Sequence, residues 1–185
     1  MTDPVDEIAD LFRRFGGDGY GECLSLERHM LQTAAMARSA GATDSLVAAA
    51  LLHDIGYFVA AEEAARSPDP AVADLGAGHE ALGAIWLSGR FPEAVTAPVA
   101  LHVEAKRYLC CADPAYHDVL SEASRMSLAR QGGPMTTAEA AAFRAHPAFE
   151  AALLLRQWDD SGKDLHTTTP GLKSYDGVLR SVLRR

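Results

Sequence analysis

The apolar residues of the chain recur mostly at helical spacing. In the first segment, Asp3 and Pro4 are the residue types of a helix N-cap and a first helical position. The apolar stripe that follows has the spacing of one helix face and consists of Ile8, Leu11, Phe12 and Phe15. Two glycines, at positions 16 and 17, then interrupt the pattern. The segment is therefore predicted to be an amphipathic helix with this stripe towards a core.

Similar stripes and caps predict helices along the rest of the chain. These run from Ser25 to about Ala40, from about Asp44 to His53, from His79 through Leu82, Ile85 and Trp86 to Gly89, from Pro92 to about Tyr108, after Asp113-Pro114, after Thr136, from Pro147 to about Lys163, and over a short C-terminal segment. A less regular acidic stretch is expected from Gly56 to about Gly76, and a loop from Asp164 to Ser174. With no repeat or linker in between, the sequence predicts one all-α domain over residues 1–185.

Composition adds an ample core and a cellular context. Hydrophobic residues make up 48% of the 185 residues and charged residues 23%, which excludes a disordered or fibrous chain. The longest apolar runs, such as 46–52, are much shorter than a membrane span of roughly 20 residues. The N-terminal residues MTDPVDEIAD lack the basic and apolar regions of a signal peptide. We therefore expect a cytoplasmic protein without a membrane partner.

Charge and cysteine content exclude other partners. The net charge is −8, and no cluster of lysines or arginines interrupts the acidity, so a nucleic-acid partner is not expected. An anionic ligand would have to be held by a few well-placed cations. The cysteines Cys23, Cys110 and Cys111 form no C-x-x-C motif, which fits a reducing compartment and argues against a thiolate zinc site.

Four histidines on predicted helices are the first candidates for chemistry: His29, His53, His79 and His102. A single histidine of this kind is more often a core or surface residue than a ligand. His53, however, is followed directly by Asp54 at the end of an apolar helix, and burying both without a partner costs several kcal/mol. A metal ion removes that cost, and the two oxygens of one carboxylate can bridge two ions.

Two groups of charged residues have both a structural and a functional interpretation. In LLLRQWDDSGK, Arg156, Asp159 and Lys163 share one helix face. They form either a solvated ladder of ion pairs or a metal ligand flanked by cations that receive an anionic substrate. Lys106 lies one turn after His102 and has the same two interpretations.

The order His29, His53-Asp54, His79, His102, Asp159 resembles the ligand pattern of the HD-domain superfamily. The phrases around these residues are GYGECLSLERHMLQTA, LHVEAKRYLC, LSEASRMSLARQGGPMT and LRQWDDSGK. They look like those of the bacterial phosphonate-cleaving HD oxygenases, typified by 2-amino-1-hydroxyethylphosphonate dioxygenase and more distantly related to myo-inositol oxygenase. The similarity covers about residues 8–165. It implies an HD-domain helical bundle.

The resemblance also implies a cofactor and a reaction. One iron would be bound by His29, His53, Asp54 and Asp159, and the other by Asp54, His79 and His102. In the family the two irons are mixed-valent, Fe(II)/Fe(III), and O₂ is the co-substrate. The substrate is a small organophosphonate, whose C–P bond is broken to give a carboxylate and phosphate.

Residue-by-residue comparison with the family extends to the substrate. Its phosphonate-binding residues correspond to Lys106, Ser124, Arg156 and Lys163, and Gln32 is a further candidate for a polar contact. Tyr20 and Glu22 resemble the Tyr…Glu gate of the family, in which the carboxylate occupies an iron site until substrate displaces it. Asp159 rather than Asp160 is the expected ligand, because Lys163 then follows four residues later, as in the related oxygenases.

One position departs from the family pattern. Many relatives have a second histidine where HDIGY has Tyr57. An aromatic ring can hold a quaternary ammonium group by a cation–π contact worth about 0.5–2 kcal/mol. The trimethylammonium substrate that yields glycine betaine is therefore preferred here to the primary amine that yields glycine, although Tyr57 can equally be pocket wall. Two alternatives stay open: an HD phosphohydrolase that activates water on a phosphate ester, and a metal-binding regulatory protein without turnover.

Overall fold

A computed structural model describes residues 3–19, 24–66 and 78–184. Within these ranges the chain forms eleven α-helices and one 3₁₀ helix, and its β structure is limited to an isolated bridge between Gly19 and Ser25. The helices are α1 (Pro4–Phe15), α2 (Leu26–Ser39), α3 (Asp44–Leu52), α4 (Ile55–Arg66), α5 (His79–Ser88), α6 (Glu93–Ala112), α7 (Pro114–Val119), α8 (Glu122–Arg130), α9 (Thr137–Arg144), α10 (Phe149–Ser161), the 3₁₀ helix Leu172–Tyr175 and α11 (Asp176–Ser181). The all-α prediction is confirmed.

Side-chain caps fix the starts of several helices. Asp3 accepts a 2.8 Å hydrogen bond from the Val5 amide, as the sequence predicts for the start of α1. The Thr136 hydroxyl and the Glu139 carboxylate exchange hydrogen bonds with each other's backbone amides and form a complete capping box. Because these signals are local, the starts of α1 and α9 follow from sequence alone.

Helix α3 lies at the centre of the molecule. Its residues 48–52 are fully buried, and it packs against α2, α6, α10 and α11. A helix that is apolar on all sides is surrounded by protein, so the polar residues that follow the end of α3 are buried as well. Among the described residues no single helix has both the length and the apolarity of a membrane span, whereas α3 and α4 taken together, at a bend of 44°, have both.

The prediction of a less regular stretch from Gly56 was wrong for residues 56–66, which belong to α4. Gly56 lies in the first turn of α4, where a Cβ atom would come 1.9 Å from the carbonyl oxygen of His79. This glycine permits close packing of α4 on α5 instead of ending a helix. The rest of the predicted stretch, 67–77, lies outside the described residues.

The apolar stripe predicted for α5 was also partly wrong. Ile85 is 70% exposed, and the buried face consists of His79, Gly83 and Leu87. Gly83 lies on that face because it meets Gly56 across the contact with α4. Small residues, which a search for large apolar side chains overlooks, therefore determine which side of α5 is buried.

Candidate metal centre and anion-binding cavity

Four helices and the junction between α3 and α4 bring four histidines and two aspartates together in the interior. His29 comes from α2, His79 is the first residue of α5, and His102 lies in the middle of α6. His53 and Asp54 occupy the junction of α3 with α4, and Asp159 comes from the last part of α10. Each of the six is at most 5% exposed. The residues predicted as metal ligands thus meet in one place.

Asp54 lies between two pairs of histidines. Its Oδ2 atom is 3.3 Å from Nε2 of His53 and 3.7 Å from Nε2 of His29. Its Oδ1 atom is 3.2 Å from Nε2 of His79 and 3.7 Å from Nε2 of His102. The donor atoms form two groups, each within 4.8 Å, that share Asp54: His29, His53 and Asp54, and Asp54, His79 and His102. This is the arrangement of a carboxylate that bridges two metal ions.

Three of the imidazoles are oriented from behind by backbone carbonyls. Nδ1–H donates to Gly162 O in His29 (2.9 Å), to Ala50 O in His53 (2.9 Å) and to Val99 O in His102 (2.8 Å). In His79, Nδ1 lies 3.3 Å from the Glu80 carboxylate. An Nδ1–H donor leaves the Nε2 lone pair directed at the centre, as metal-ligating histidines require.

Asp159 adds a second carboxylate to one side of the cluster. Its Oδ1 atom is 3.2 Å from Nε2 of His29, while its Oδ2 atom accepts a 2.6 Å hydrogen bond from Arg156. Asp160 points instead towards Arg156 and Tyr116. The structure therefore brings Asp159, and not Asp160, to the histidines.

The donor set suits a cation. The Nε2 atoms of His29 and His53 lie 3.1 Å apart, and those of His79 and His102 lie 3.2 Å apart. Two imidazole lone pairs at such distances repel each other unless a proton or a metal ion lies between them. Mixed imidazole and carboxylate ligands are typical of non-haem iron and related transition-metal sites.

The electrostatics of the cluster favour positive charge at its centre. Burial lowers the pKa of an imidazole, but the carboxylates of Asp54 and then Asp159 outweigh it and raise the pKa of His53 to about 9. Burial, His79 and His53 together lower the pKa of His102 to about 3. For Asp54 the nearby His53 and His79 overcome burial and hold the pKa of the carboxyl well below its usual range. The carboxylates thus stay ionised, and metal ions can balance their charge.

A cavity of about 240 Å³ opens directly onto this cluster. Its lining includes four of the candidate ligands, Asp54, His79, His102 and Asp159, together with Lys106, Ser124, Arg156 and Lys163. The hydroxyl of Ser124 accepts a hydrogen bond from Nζ of Lys163 at 3.0 Å and lies 3.5 Å from an Nη atom of Arg156. Pockets for drug-sized ligands measure roughly 300–1,000 Å³, so this cavity suits a smaller anion.

Known proteins are similar to this chain over nearly its whole length. The HD domain profile matches residues 26–145. The chain belongs to the HD-domain family. Hydroxymethylphosphonate dioxygenase of Gimesia maris is 40% identical over 179 residues, which are 97% of this chain and 88% of that protein. The glycine-betaine-forming [1-hydroxy-2-(trimethylamino)ethyl]phosphonate dioxygenase of Leisingera caerulea is 40% identical over 180 residues, 97% of this chain and 90% of that protein.

The family predicted from the sequence, an HD-domain oxygenase related to the phosphonate dioxygenases, is thereby confirmed. An uncharacterised protein of Acanthamoeba polyphaga mimivirus is similar as well, at 33% identity over 182 residues, 97% of this chain and 81% of that protein. The prediction that one HD domain occupies residues 1–185 stays a prediction.

Three further predicted residues have different outcomes in this HD-domain chain. Gln32 does not line the cavity, because its amide donates to the backbone carbonyl of Asp164 at 2.6 Å and accepts from the same residue's N–H at 3.0 Å. It fixes the loop after α10 rather than contacting the cavity. Tyr20 and Glu22, like Cys23, lie outside the described residues, so the predicted gate stays a prediction.

Tyr57 lines the cavity and stacks on one of the histidines. Its ring centroid is 4.3 Å from that of His79, with an angle of 14° between the planes. Burial and then the carboxylates of Asp54 and Asp159 raise the pKa of its phenol far above the usual range, so the ring stays neutral. The position that departs from the family pattern is thus in contact with both the histidine cluster and the ligand space.

Three residues support this site in roles that the sequence did not predict. Ser127 accepts a 2.8 Å hydrogen bond from Nζ of Lys106, and Asp160 and Tyr116 both contact Arg156. A signal for the serine was present, since serines recur every three residues, at the N-cap of α8 (Ser121) and within it (Ser124 and Ser127). The role of Tyr116 depends on how α7 packs, which its own sequence does not reveal.

Proposed function

We propose that this protein is an O₂-dependent diiron oxygenase that cleaves the C–P bond of a small 1-hydroxyalkylphosphonate. The observation that carries the proposal is the cavity, which is lined both by basic side chains and by a carboxylate that lies between two pairs of histidines. The names of the two 40% identical relatives agree with it, since both are phosphonate dioxygenases.

The basic residues that line the cavity have the chemistry of a phosphonate site. A phosphonate carries up to two negative charges and three acceptor oxygens, and charge-assisted hydrogen bonds are the strongest that a protein offers it. Lys106, Arg156 and Lys163 supply the charges, and Ser124 supplies a hydroxyl between two of them. In a protein of net charge −8, such a local group of cations is what gives an anion a place to bind.

The histidines and aspartates of the cluster would hold two iron ions, one at His29, His53, Asp54 and Asp159 and one at Asp54, His79 and His102. Bound iron would supply the activation of O₂, with the mixed-valent pair as the active form. The protein's own contribution is to orient the ligands through the Nδ1–H hydrogen bonds. A phosphonate held by Lys106 and Arg156 would lie in the cavity that Asp54 and Asp159 also line.

The overall reaction balances with O₂ as the single oxidant. A 1-hydroxyalkylphosphonate and O₂ give a carboxylic acid and phosphate, with both oxygen atoms retained in the products. The C1–H and C1–P bonds break, and new C–O and P–O bonds form. C1 is oxidised to the carboxyl level as O₂ is reduced.

Tyr57 supports a cationic substituent on C2 of the substrate. A trimethylammonium group has no N–H to donate and is held best by an aromatic surface, whereas a primary ammonium needs acceptors. Tyr57 lines the cavity as a neutral ring that is fixed by stacking on His79. We therefore propose 1-hydroxy-2-(trimethylammonio)ethylphosphonate as the preferred substrate, with glycine betaine as the organic product.

Turnover of a small panel tests both parts of the proposal. Iron-loaded protein is supplied with hydroxymethylphosphonate, 2-amino-1-hydroxyethylphosphonate, the trimethylammonium compound or a phosphate monoester, and phosphate and organic acid are quantified with and without O₂. We expect phosphate and organic acid in equal amounts, formed only from the phosphonates and only when O₂ is present. The trimethylammonium compound should have the highest kcat/KM. Tyr57→His should shift the ratio of the kcat/KM values for the two substrates about tenfold towards the amine. This corresponds to a loss of about 1.4 kcal/mol of cation–π energy.

Two results of the panel would refute the proposal. Phosphate release from the monoester without O₂ would indicate a phosphohydrolase. A preference for the amine or for hydroxymethylphosphonate that Tyr57→His leaves unchanged would refute the role of Tyr57. As a control for metal dependence, Asp54→Ala should lose metal and activity together.

A further inference from the structure

Arg156 forms hydrogen bonds to two carboxylates, with a different geometry for each. Both Asp159 and Asp160 follow it on α10, at i+3 and i+4. With Asp160 the guanidinium pairs along one edge, through Nε at 3.1 Å and through Nη2. With Asp159 it makes a single hydrogen bond, from Nη1 to Oδ2 at 2.6 Å. A paired, two-bond contact is the more strongly oriented of the two.

Tyr116 completes the contact from another helix. Its hydroxyl donates to Oδ2 of Asp160 and accepts a hydrogen bond from Nε of Arg156 at 3.2 Å. Tyr116 belongs to α7, so this triangle ties α7 to α10. Arg156 is 3% exposed, and hydrogen bonds in such surroundings are less weakened by water than those at the surface.

The consequence reaches the metal centre through Asp159. Because Asp160 occupies the Nε edge of the guanidinium, Asp159 gives Arg156 one oxygen and directs the other, Oδ1, at Nε2 of His29. If Asp160 were absent, the guanidinium would be free to pair with both oxygens of Asp159. The oxygen that faces the histidines would then be lost to the arginine.

We propose that Asp160 and Tyr116 are positioning residues that hold Arg156 so that Asp159 keeps one oxygen for a metal ion. The inference rests on the proposed function, in which Asp159 is a metal ligand. It adds that two residues outside the ligand set and outside the cavity wall control the strength of metal binding. Partners of this kind typically account for a 10–100-fold difference in metal affinity.

Metal affinity rather than turnover is the measurement that tests this. Binding of Fe(II) is measured anaerobically by calorimetry, with the number of sites and their dissociation constants, in wild-type protein, Asp160→Asn and Tyr116→Phe. We expect the affinity of one of the two sites to fall about 10–100-fold in Asp160→Asn and less in Tyr116→Phe, which keeps the ring. Asp118→Asn, on α7 with its side chain 86% exposed, should bind as the wild type does.

A double-mutant cycle separates positioning from general loss of structure. If Asp160 acts through Arg156, then Asp160→Asn should cause no further fall in affinity in an Arg156→Gln background. An equal fall in both backgrounds, or wild-type affinity in the single variant Asp160→Asn, would overturn the inference. Failure of the oxygenase proposal would instead appear in the wild-type protein, as two bound metal ions without release of phosphate from any phosphonate.

Discussion

In the proposed anion site, the charge of Lys106 depends on its surroundings. Burial and then the neighbouring Arg156 guanidinium lower its pKa to about 8, although Asp159 and Asp160 pull in the opposite direction. The Ser127 hydroxyl, 2.8 Å away, accepts a hydrogen bond but brings no negative charge. A bound anion would restore the preference for the ammonium form, so ligand binding and protonation of Lys106 are coupled.

This coupling predicts a pH dependence of anion binding. The ammonium form pairs with an anion and the neutral amine does not, so affinity should be high below the pKa of about 8 and fall as the pH rises through it. We expect this for methylphosphonate, a probe without the C1 hydroxyl, in calorimetric measurements on either side of that pKa. In Lys106→Arg the side chain stays charged over this whole pH range, so the affinity should not show the fall that is due to Lys106.

The effect of the probe's own ionisation cancels when the two proteins are compared, because methylphosphonate changes charge equally in both experiments. The fall in affinity that is present in the wild type and missing from Lys106→Arg belongs to Lys106. If the two profiles coincide, Lys106 does not meet the anion.

At this scale the sequence predicted the members of the site better than the contacts that hold them. The resemblance to the related oxygenases, in which the lysine follows the ligand by four residues, favoured Asp159 over Asp160, and in the structure Asp159 is the one beside His29. Helical periodicity gives the face of a side chain on its own helix. It does not give the partner from another helix, which is why the contact of Tyr116 with Asp160 was not predicted. Gln32 shares a face with His29, but the loop at Asp164 takes up its amide.

At the scale of elements, the contact between α4 and α5 sets the distance between the two halves of the candidate metal centre. Gly56 follows Asp54 by two residues, and a Cβ atom at Gly56 would come 1.9 Å from the carbonyl oxygen of His79. The neighbouring glycine on α5, Gly83, has its own nearest contacts at Gly56. The absence of both side chains lets Oδ1 of Asp54 approach Nε2 of His79 to 3.2 Å.

Gly56→Ala should therefore damage both stability and the site. The added methyl group meets backbone rather than a flexible side chain, so α4 and α5 must separate, at a cost of about 1–3 kcal/mol in the free energy of unfolding. We also expect weaker binding at the metal site that uses His79. Chemical denaturation of the metal-free protein measures the first effect, and metal stoichiometry measures the second.

Gly89→Ala is the matched control for this substitution. Gly89 caps the other end of α5 with a φ of −75°, and a Cβ atom there would meet nothing within 4 Å. It should leave stability within about 0.5 kcal/mol of the wild type, as surface substitutions usually do. Wild-type stability and full metal content in Gly56→Ala would show that the α4–α5 contact can relax without cost.

The sequence predicted most helices because their signals are local, and it failed where a residue acts through a distant one. Asp3, Thr136 and Glu139 bond to amides within a few residues, so their helices begin as predicted. Gly56 looks like a helix end in the sequence, but its role is set by α5, 23 residues later in the chain at His79. α8 was not predicted either, since a serine-rich face towards the cavity gives no apolar stripe.

At the scale of the whole molecule, the six proposed ligands extend from position 29 to position 159 and come from helices that pack against one another around α3. A metal ion bound there joins segments that are far apart in the sequence. In the unfolded chain these donors are not held together, so the metal binds the native state much more strongly. Binding energy then becomes folding stability.

We therefore expect Fe(II) to raise the thermal stability of the wild-type protein under anaerobic conditions. A free metal concentration 100 times the dissociation constant adds about 2.7 kcal/mol for each site. For a chain of this size this corresponds to an increase in Tm of roughly 5–10 °C per site. Asp54→Ala should abolish most of the increase, because Asp54 faces both histidine pairs. Lys106→Gln should keep it, since its Nζ bonds to Ser127 and not to the ligands. A Tm that rises equally with Fe(II) in Asp54→Ala would mean that the stabilising metal binds elsewhere.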